Sequence, residues 1–335
     1  MSAPLGDLGP LAFGAASIGN LYRAIPADQA QAVVRRAWEA GIRYFDTAPH
    51  YGFGLSEKRL GAALTELDPD GAAIVSTKVG RRLDPRPEAD LSAIRQGFVT
   101  PEPYESVFDY SYDAVMRSHE SSLKRLRRDR IDILYAHDIG SFAHGADHPR
   151  RFAEFVEGGY RAMRELRDSG AVSAIGLGVN EAAVCVEMLG AGDIDLLMLA
   201  GRYTLLEQDP LDHLLPLCAE RGVQLVIAGP YNSGILAKGV RTGTIPNFNY
   251  EPAPAAIIDR VGRIETICAA HGVPLPAAAL QFPLAHPQVA SVVPGMGSVG
   301  QVDAALGLIH HPIPAQCWAD LRAAGLIRPD APVPV

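Results

Sequence analysis

One feature constrains this chain more than any other: a regular alternation of short β-rich runs with helix-period stretches. The runs fall at Leu11–Ala16, Ile42–Thr47, Ala73–Lys78, Asp132–His137, Val172–Val179, Asp195–Leu199, Val223–Ala228 and Val289–Val293. Between them, apolar residues recur at i, i+3, i+4 and i+7. Examples are Ala30, Val33, Val34 and Ala37; Leu60, Ala63, Leu64 and Leu67; and Val302, Ala305, Leu306 and Ile309. Gly41, Gly170 and Gly222 each stand between a helical pattern and the next run, where a helix end needs a residue at positive φ. The runs are mostly apolar throughout, as parallel strands covered on both faces require. Eight strands, each followed by a helix, predict a (β/α)₈ TIM barrel, with a doubly wound sheet as the second choice. Neither a linker nor a low-complexity tract interrupts the 335 residues, so residues 1–335 read as one domain.

Charge and cysteine content narrow the function classes. The chain has 30 Lys and Arg against 38 Asp and Glu, a formal net charge of −8, which argues against nucleic-acid binding. The run Arg125–Arg130 (RLRRDR) reads as a solvated helix end rather than a binding patch. Cys185, Cys218, Cys268 and Cys317 lie far apart without metal-ligand spacing, so neither a disulfide framework nor a metal site is expected. The opening MSAPLGDLGP has no basic segment followed by an apolar one, and no run approaches the ~18 apolar residues of a membrane span. A cytoplasmic protein without nucleic-acid or membrane partners is the expectation; the oligomeric state is left open.

Two connections exceed a simple strand-to-helix turn. Gly80–Tyr110 holds Pro85, Pro87, Pro101 and Pro103 with the aromatics Phe98, Tyr104, Phe108 and Tyr110; the other is Tyr231–Pro254. Structureless loops of such length are typically lids or binding loops. Both leave the C-terminal ends of strands, the face where barrel enzymes keep their sites. The proline-rich tail His310–Val335 could close that mouth or wrap the outside.

Four ionisable residues lie at or just beyond three successive strand ends: Asp46, Tyr51 in the loop that follows it, Lys78 and His137. Adjacent strand ends in a parallel barrel are about 5 Å apart, so these side chains can converge. A phenol of ordinary pKa transfers protons poorly at neutral pH. A nearby ammonium lowers that pKa, a carboxylate holds the ammonium, and a neutral imidazole hydrogen-bonds the reacting oxygen. The set suits general acid–base chemistry on a carbonyl or alcohol oxygen. His50 reads as a pocket-lining or loop-packing residue, and Lys58 with the other helix charges as solvent-facing.

The segment FDTAPHYGFGLSEKRLGAAL (45–64), followed by STKVG (76–80) and LYAHD (134–138), resembles the aldo-keto reductase superfamily. The resemblance runs from FGAASIGN (13–20) to VVPGMGS (292–298). It implies a barrel, a nicotinamide cofactor and a catalytic tetrad of Asp46, Tyr51, Lys78 and His137, with Tyr51 as acid or base. It further implies cofactor contacts from Gly14, Ala15, Asp46 and Asn180, from Tyr231, Ser233 and Gly234 after the seventh strand, and from Gly295, Gly297 and Ser298 after the eighth. No GxxxxGK[ST] is present, and Gly52-x-Gly54 and Gly176-x-Gly178 each lack the third glycine of a GxGxxG.

This sequence departs from the family pattern at several places. Val179 precedes Asn180 where Ser is usual, Gly201 stands where many members carry Gln, and Ala304 and Ala305 replace a Glu-Asn pair used on adenine. Met296, Gly297 and Ser298 follow the strand-eight PG, where NADP-preferring members place Lys or Arg. Without that cation a 2′-phosphate loses charge-assisted hydrogen bonds, so NAD is the expected cofactor, with NADP possible if Arg202 or Arg241 supplies charge.

VFDYSYDAVMRS (107–118), RIDILYAHDIG (130–140) and AGRYTLL (200–206) are similar to aldose 1-dehydrogenases acting on L-fucose, L-galactose or related D-threo sugars. That implies oxidation at C1 to the lactone. Tyr51, His137, Asp138, Tyr22, Asn247 and Asn249 are the candidates for touching the small-molecule sugar or aldehyde. A pyridoxal 4-dehydrogenase, a general aldehyde or ketone reductase, a Schiff-base aldolase using Lys78, and a cofactor-binding regulatory protein are the competing readings.

Overall fold

The computed structural model describes residues 6–241, 243 and 245–334. Met1–Leu5 of the opening segment, Val335 of the tail, and Thr242 and Thr244 of the second long connection lie outside the described residues, as do both ends of the expected 1–335 domain.

Eight parallel strands form the central sheet: β1 Phe13–Gly14, β2 Tyr44–Asp46, β3 Ile74–Val79, β4 Ile133–His137, β5 Ala174–Val179, β6 Leu196–Ala200, β7 Gln224–Ala228 and β8 Val289–Val293. They pair in chain order. Parallel bridges Leu11↔Val292 and Gly14↔Gly295 bring the first strand against the last, closing a (β/α)₈ barrel. The first run is shorter than its composition suggests, because the chain leaves β1 for a helical turn at Ser17–Gly19. The helices alternating with the strands are α1 Ala27–Glu39, α2 Leu55–Leu67, α3 Tyr112–Leu126, α4 Tyr160–Asp168, α5 Ala183–Ala191, α6 Leu214–Arg221, α7 Leu275–Leu284 and α8 Val299–Ile309. Their apolar faces, such as Ala30, Val33, Val34 and Ala37 of α1, pack on the outside of the sheet.

Two cores result, divided by the period of two along each strand. Leu134 and Ala136 of β4 face the helices, while Ile133 and Tyr135 fill the barrel beside Tyr44, Leu196, Met198 and Val226. The same alternation sends Asp46, Lys78 and His137 to the inside. Each lies at or next to the C-terminal end of its strand, so all three face the mouth.

The first long connection is not structureless. Arg81–Pro85 and Tyr104–Phe108 pair as an antiparallel ribbon. Ion pairs Arg82–Asp84, Arg82–Asp109 and Arg86–Glu105 line it. The second holds a short helix, Ile235–Lys238, and a two-residue ribbon, Asn247–Phe248 with Glu251–Pro252. The tail wraps the outside: Ala315–Ala323 packs on the helix Ala255–Ala270, and Trp318 is buried next to Phe282 of α7.

Two charge assignments are corrected. The arginine run is solvated only in part: Arg125 meets Glu57 at 2.6 Å and Arg128 meets Asp68 at 3.2 Å, both largely buried, whereas Arg127 is exposed and Arg130, 3.1 Å from Asp132, is partly so. Glu57 of α2 is fully buried, not solvent-facing, and also accepts from the Thr77 hydroxyl at 2.6 Å. The reason is close helix packing. A Cβ on Gly61 would stand 2.5 Å from the Leu126 carbonyl, so α2 and α3 touch backbone to backbone and enclose the polar groups between them. Lys58, on the outer side, is largely exposed and pairs with Glu102.

Candidate active site

The mouth of the barrel holds a cavity of about 520 Å³. Lys78 reaches up from β3 at its floor and is 2% exposed. Its ammonium donates to Asp46 Oδ1 and Oδ2 at 2.9 and 2.8 Å and to the Thr47 carbonyl at 2.8 Å. Asp46 also accepts from the Ser76 hydroxyl at 2.7 Å. The Lys78 ammonium lies 4.8 Å from the Tyr51 ring centroid. His137 completes the group, its ring edge-on to Tyr51 with centroids 5.9 Å apart. The four residues at successive strand ends are therefore in one place.

Their electrostatics differ in one respect from the expectation. Burial pushes the Tyr51 phenol above its ordinary pKa of 10; the Lys78 ammonium pulls it down, but by less. Burial likewise raises the Asp46 carboxyl against the pull of Lys78. For Lys78, burial lowers the pKa, but Asp46 and Tyr51 together raise it and prevail. Burial, with Lys78 and Arg81 nearby, holds His137 well below 6.5, so the imidazole is neutral. Its Nδ1 is buried without a partner. At neutral pH the unliganded site thus pairs a protonated phenol with a neutral imidazole over a closed ion pair. The phenol is a proton donor at rest and becomes a base only when its phenolate is stabilised.

Tyr22 and Asp138 also line the cavity, as does Asn180. Asp138 sits at the end of β4 with φ +55° and receives Arg81 Nη1 on Oδ2 at 2.8 Å. Arg81 lies over the Phe108 ring and donates Nη2 to Gln96 at 2.8 Å. Sequence reasoning passed over Arg81, Gln96 and Tyr250, all at the cavity wall. The position of Arg81 immediately after the Lys78 strand was the available signal. His50 lines the wall too, its Nδ1 3.1 Å from Ser106 Oγ. Asn247 and Asn249 are outside the cavity lining; Asn249 is held by Arg202 at 2.8 Å. Arg241 lies with Thr266 and Glu265 on the outer helix.

The residues assigned to a cofactor divide in the same way. Ala15 is spent internally: its N–H donates to Asp46 O and its carbonyl accepts from Ser56. Gly297 donates to Gln301 Oε1 at 2.7 Å, and its carbonyl accepts from Arg23 and Gln29 at 3.3 Å. Gly14 lies against β8, where a Cβ would meet the Pro294 carbonyl at 2.8 Å. After β7, the backbone takes positive φ at Asn232, Ser233 and Gly234, just beyond Tyr231. Beyond Gly295, Ser298 caps α8 by accepting from Gln301 N at 3.3 Å. At Gly300, in the first turn of α8, no neighbouring group lies within 4 Å of where a Cβ would stand. An open helix N-terminus beside a turn of small residues fits a dinucleotide phosphate. Asn180 accepts at Oδ1 from the Tyr250 hydroxyl at 3.5 Å across the cavity wall. Among the described residues no cluster of His, Cys, Asp and Glu could hold a metal ion.

A profile described as the Aldo/keto reductase family matches residues 10–325. The chain is 43% identical over 321 residues to D-threo-aldose 1-dehydrogenase of a Pseudomonas species, covering 95% of this chain and 94% of that protein. It is 42% identical over 325 residues to pyridoxal 4-dehydrogenase of Microbacterium luteolum, with 95% and 94% covered. Among solved structures, an aldo-keto reductase of Bacillus halodurans in its holo form superposes with a TM-score of 0.70 at 27% identity, covering 94% of this chain and 92% of that one.

Proposed function

This chain belongs to the aldo/keto reductase family of nicotinamide-dependent oxidoreductases, and from that premise we propose that it oxidises an aldose such as L-fucose or L-galactose at C1 to the lactone. The observation that carries the sugar reading is Asp138. Its carboxylate lines the cavity next to His137 Nε2, 3.7 Å away, and Arg81 fixes only one of its two oxygens. A carboxylate anchored in this way offers a fixed acceptor for sugar hydroxyls, and a site with buried polar groups rejects substrates that cannot pair with them.

In the proposed reaction Asp46, Tyr51, Lys78 and His137 form the catalytic tetrad. Tyr51 accepts the proton of the anomeric hydroxyl. Lys78, held by Asp46, stabilises the phenolate that must exist for this to occur. Neutral His137 hydrogen-bonds the same substrate oxygen and orients it. A bound nicotinamide supplies the acceptor for the hydride leaving C1. Asn180 would hold its amide, and Ser233, Gly234 and Ser298 with the first turn of α8 would hold its phosphates.

The pyridoxal reading has its own support. Phe98, Phe108 and Phe142 give the cavity aromatic walls suited to a flat heteroaromatic aldehyde. A panel of L-fucose, L-galactose, D-arabinose and pyridoxal, each run with NAD and NADP, decides between the two. Steady NADH formation with the sugars is expected; turnover of pyridoxal alone would transfer the assignment to it. Asp138→Ala should then raise KM for the preferred sugar by about 10- to 100-fold, the loss of a hydrogen bond to a charged group. An unchanged KM would remove Asp138 from substrate contact.

NAD is the proposed cofactor, because Met296, Gly297 and Ser298 bring no cation of their own to the turn before α8; the cation beside that turn is Arg23, which donates to the Gly297 carbonyl at 3.3 Å. Ser298→Arg is expected to shift the ratio of kcat/KM for NADP over NAD upward by about tenfold. A constant ratio would show that this position does not face the ribose.

A further inference from the structure

Below the ion pair the barrel interior holds two tyrosines for which the proposed reaction has no use. Tyr44 of β2 and Tyr135 of β4 are completely buried, among Ile133, Met198 and Val226. Their hydroxyls are 3.2 Å apart. The Tyr44 hydroxyl is 3.2 Å from Ser76 Oγ, which is 2.7 Å from Asp46 Oδ1. Strand register explains the stack: Asp46 lies level with Ser76 on β3, and Tyr135 level with Lys78.

A serine hydroxyl has one hydrogen. The shorter contact, to a carboxylate, takes it. With all three contacts made, Tyr44 donates to Ser76 and Tyr135 to Tyr44. The donors point one way, from the barrel centre toward Asp46. Such chains polarise along their length, and each donor strengthens the next. An apolar interior filled by Phe and Leu would serve packing equally well without three buried hydroxyls to satisfy.

We propose that Ser76, Tyr44 and Tyr135 are positioning residues: a buried donor chain that keeps Asp46 ionised and so keeps Lys78 charged beneath Tyr51. This rests on the tetrad reading above and adds a support for it from inside the barrel. The titratable groups facing Asp46 are Lys78 from β3, Tyr51 from the following loop, Tyr44 from its own strand and Tyr135 from β4. β1 places only Gly14 in register with it. Burial drives the Asp46 carboxyl upward while Lys78 and the Ser76 hydrogen bond oppose it. Removing the hydroxyl therefore lets Asp46 take a proton at higher pH, and with it the clamp on Lys78 is lost.

The test is the acid limb of kcat/KM for reduction, where Tyr51 stays protonated and adds no slope of its own, in Ser76→Ala, Tyr44→Phe and Asp46→Asn, each with its melting temperature. Ser76→Ala should move the limb up by about one pH unit, the worth of one hydrogen bond to a charged group. Tyr44→Phe should move it the same way by less, and it carries the test alone if Ser76→Ala does not fold. A merely structural role lowers the melting temperature and leaves the limb in place, which would overturn the proposal. Wild-type turnover in Asp46→Asn would instead bring down the tetrad reading on which it stands. A crippled Asp46→Asn with unmoved limbs in the other two would sink the donor chain only.

Discussion

Tyr51→Phe is expected to lower kcat by about two to four orders of magnitude, the usual worth of a positioned acid or base. NADH affinity, read by fluorescence titration, should stay within about threefold, because the hydroxyl is removed and the ring remains. The pH profile gives the sharper signature. In the free enzyme burial holds the phenol above 10, so the phenolate fraction rises about tenfold per pH unit throughout the alkaline range below that pKa. Oxidation needs the phenolate; log kcat/KM for oxidation should therefore climb with pH at a slope near one and reach no plateau below pH 10. Reduction needs the phenol and should be flat over the same range. Tyr51→Phe should abolish the climb. A wild-type plateau near neutrality, or a surviving slope in the variant, would assign the proton transfer to another group.

Lys78→Met should damage both stability and turnover. The ammonium is buried and donates three hydrogen bonds, two to Asp46 and one to the Thr47 carbonyl. Removing one partner of a buried ion pair leaves the other charge uncompensated, at a cost of about 3–5 kcal/mol. Asp46 would respond by binding a proton, which limits the loss but leaves Tyr51 with no cation beneath it. Chemical denaturation should show a lower midpoint with an unchanged slope, and turnover should fall about as far as in Tyr51→Phe. The double variant Asp46→Asn with Lys78→Met should recover much of the stability and none of the activity, since it removes both charges together. Recovery of turnover in the double variant would mean that the pair serves folding alone.

The eight strands could be read from the chain because each is a short apolar run bounded by turn residues, and a parallel strand buried on both faces leaves that mark in composition. Asp46, Lys78 and His137 stood out for the same reason: a charge ending an apolar run must face either water or a site. Tyr51 followed from its place one loop beyond Asp46. Other features had no local signal. Arg81 and Asp138 are 57 residues apart and meet only because the ribbon after β3 folds over the end of β4. Glu57 has the sequence appearance of any helix-surface acid, and only the contact of α2 with α3 buries it. The same limit applied to the cofactor residues. Ala15 and Gly297 look available in sequence, but their backbone hydrogen bonds are already taken inside the protein.

By itself the sequence determined the barrel, its strand order and the residue types at the strand ends, because period and burial are local properties of a strand. Only the tertiary structure decided the balance at Tyr51. Whether a phenol beside an ammonium is acidic depends on how much water surrounds both, and burial here outweighs the charge. It also decided that the described part of the tail packs on the outer helices, and that three hydroxyls line up beneath Asp46. Desolvation and alignment are set by atoms from many elements at once, and no stretch of chain carries them alone.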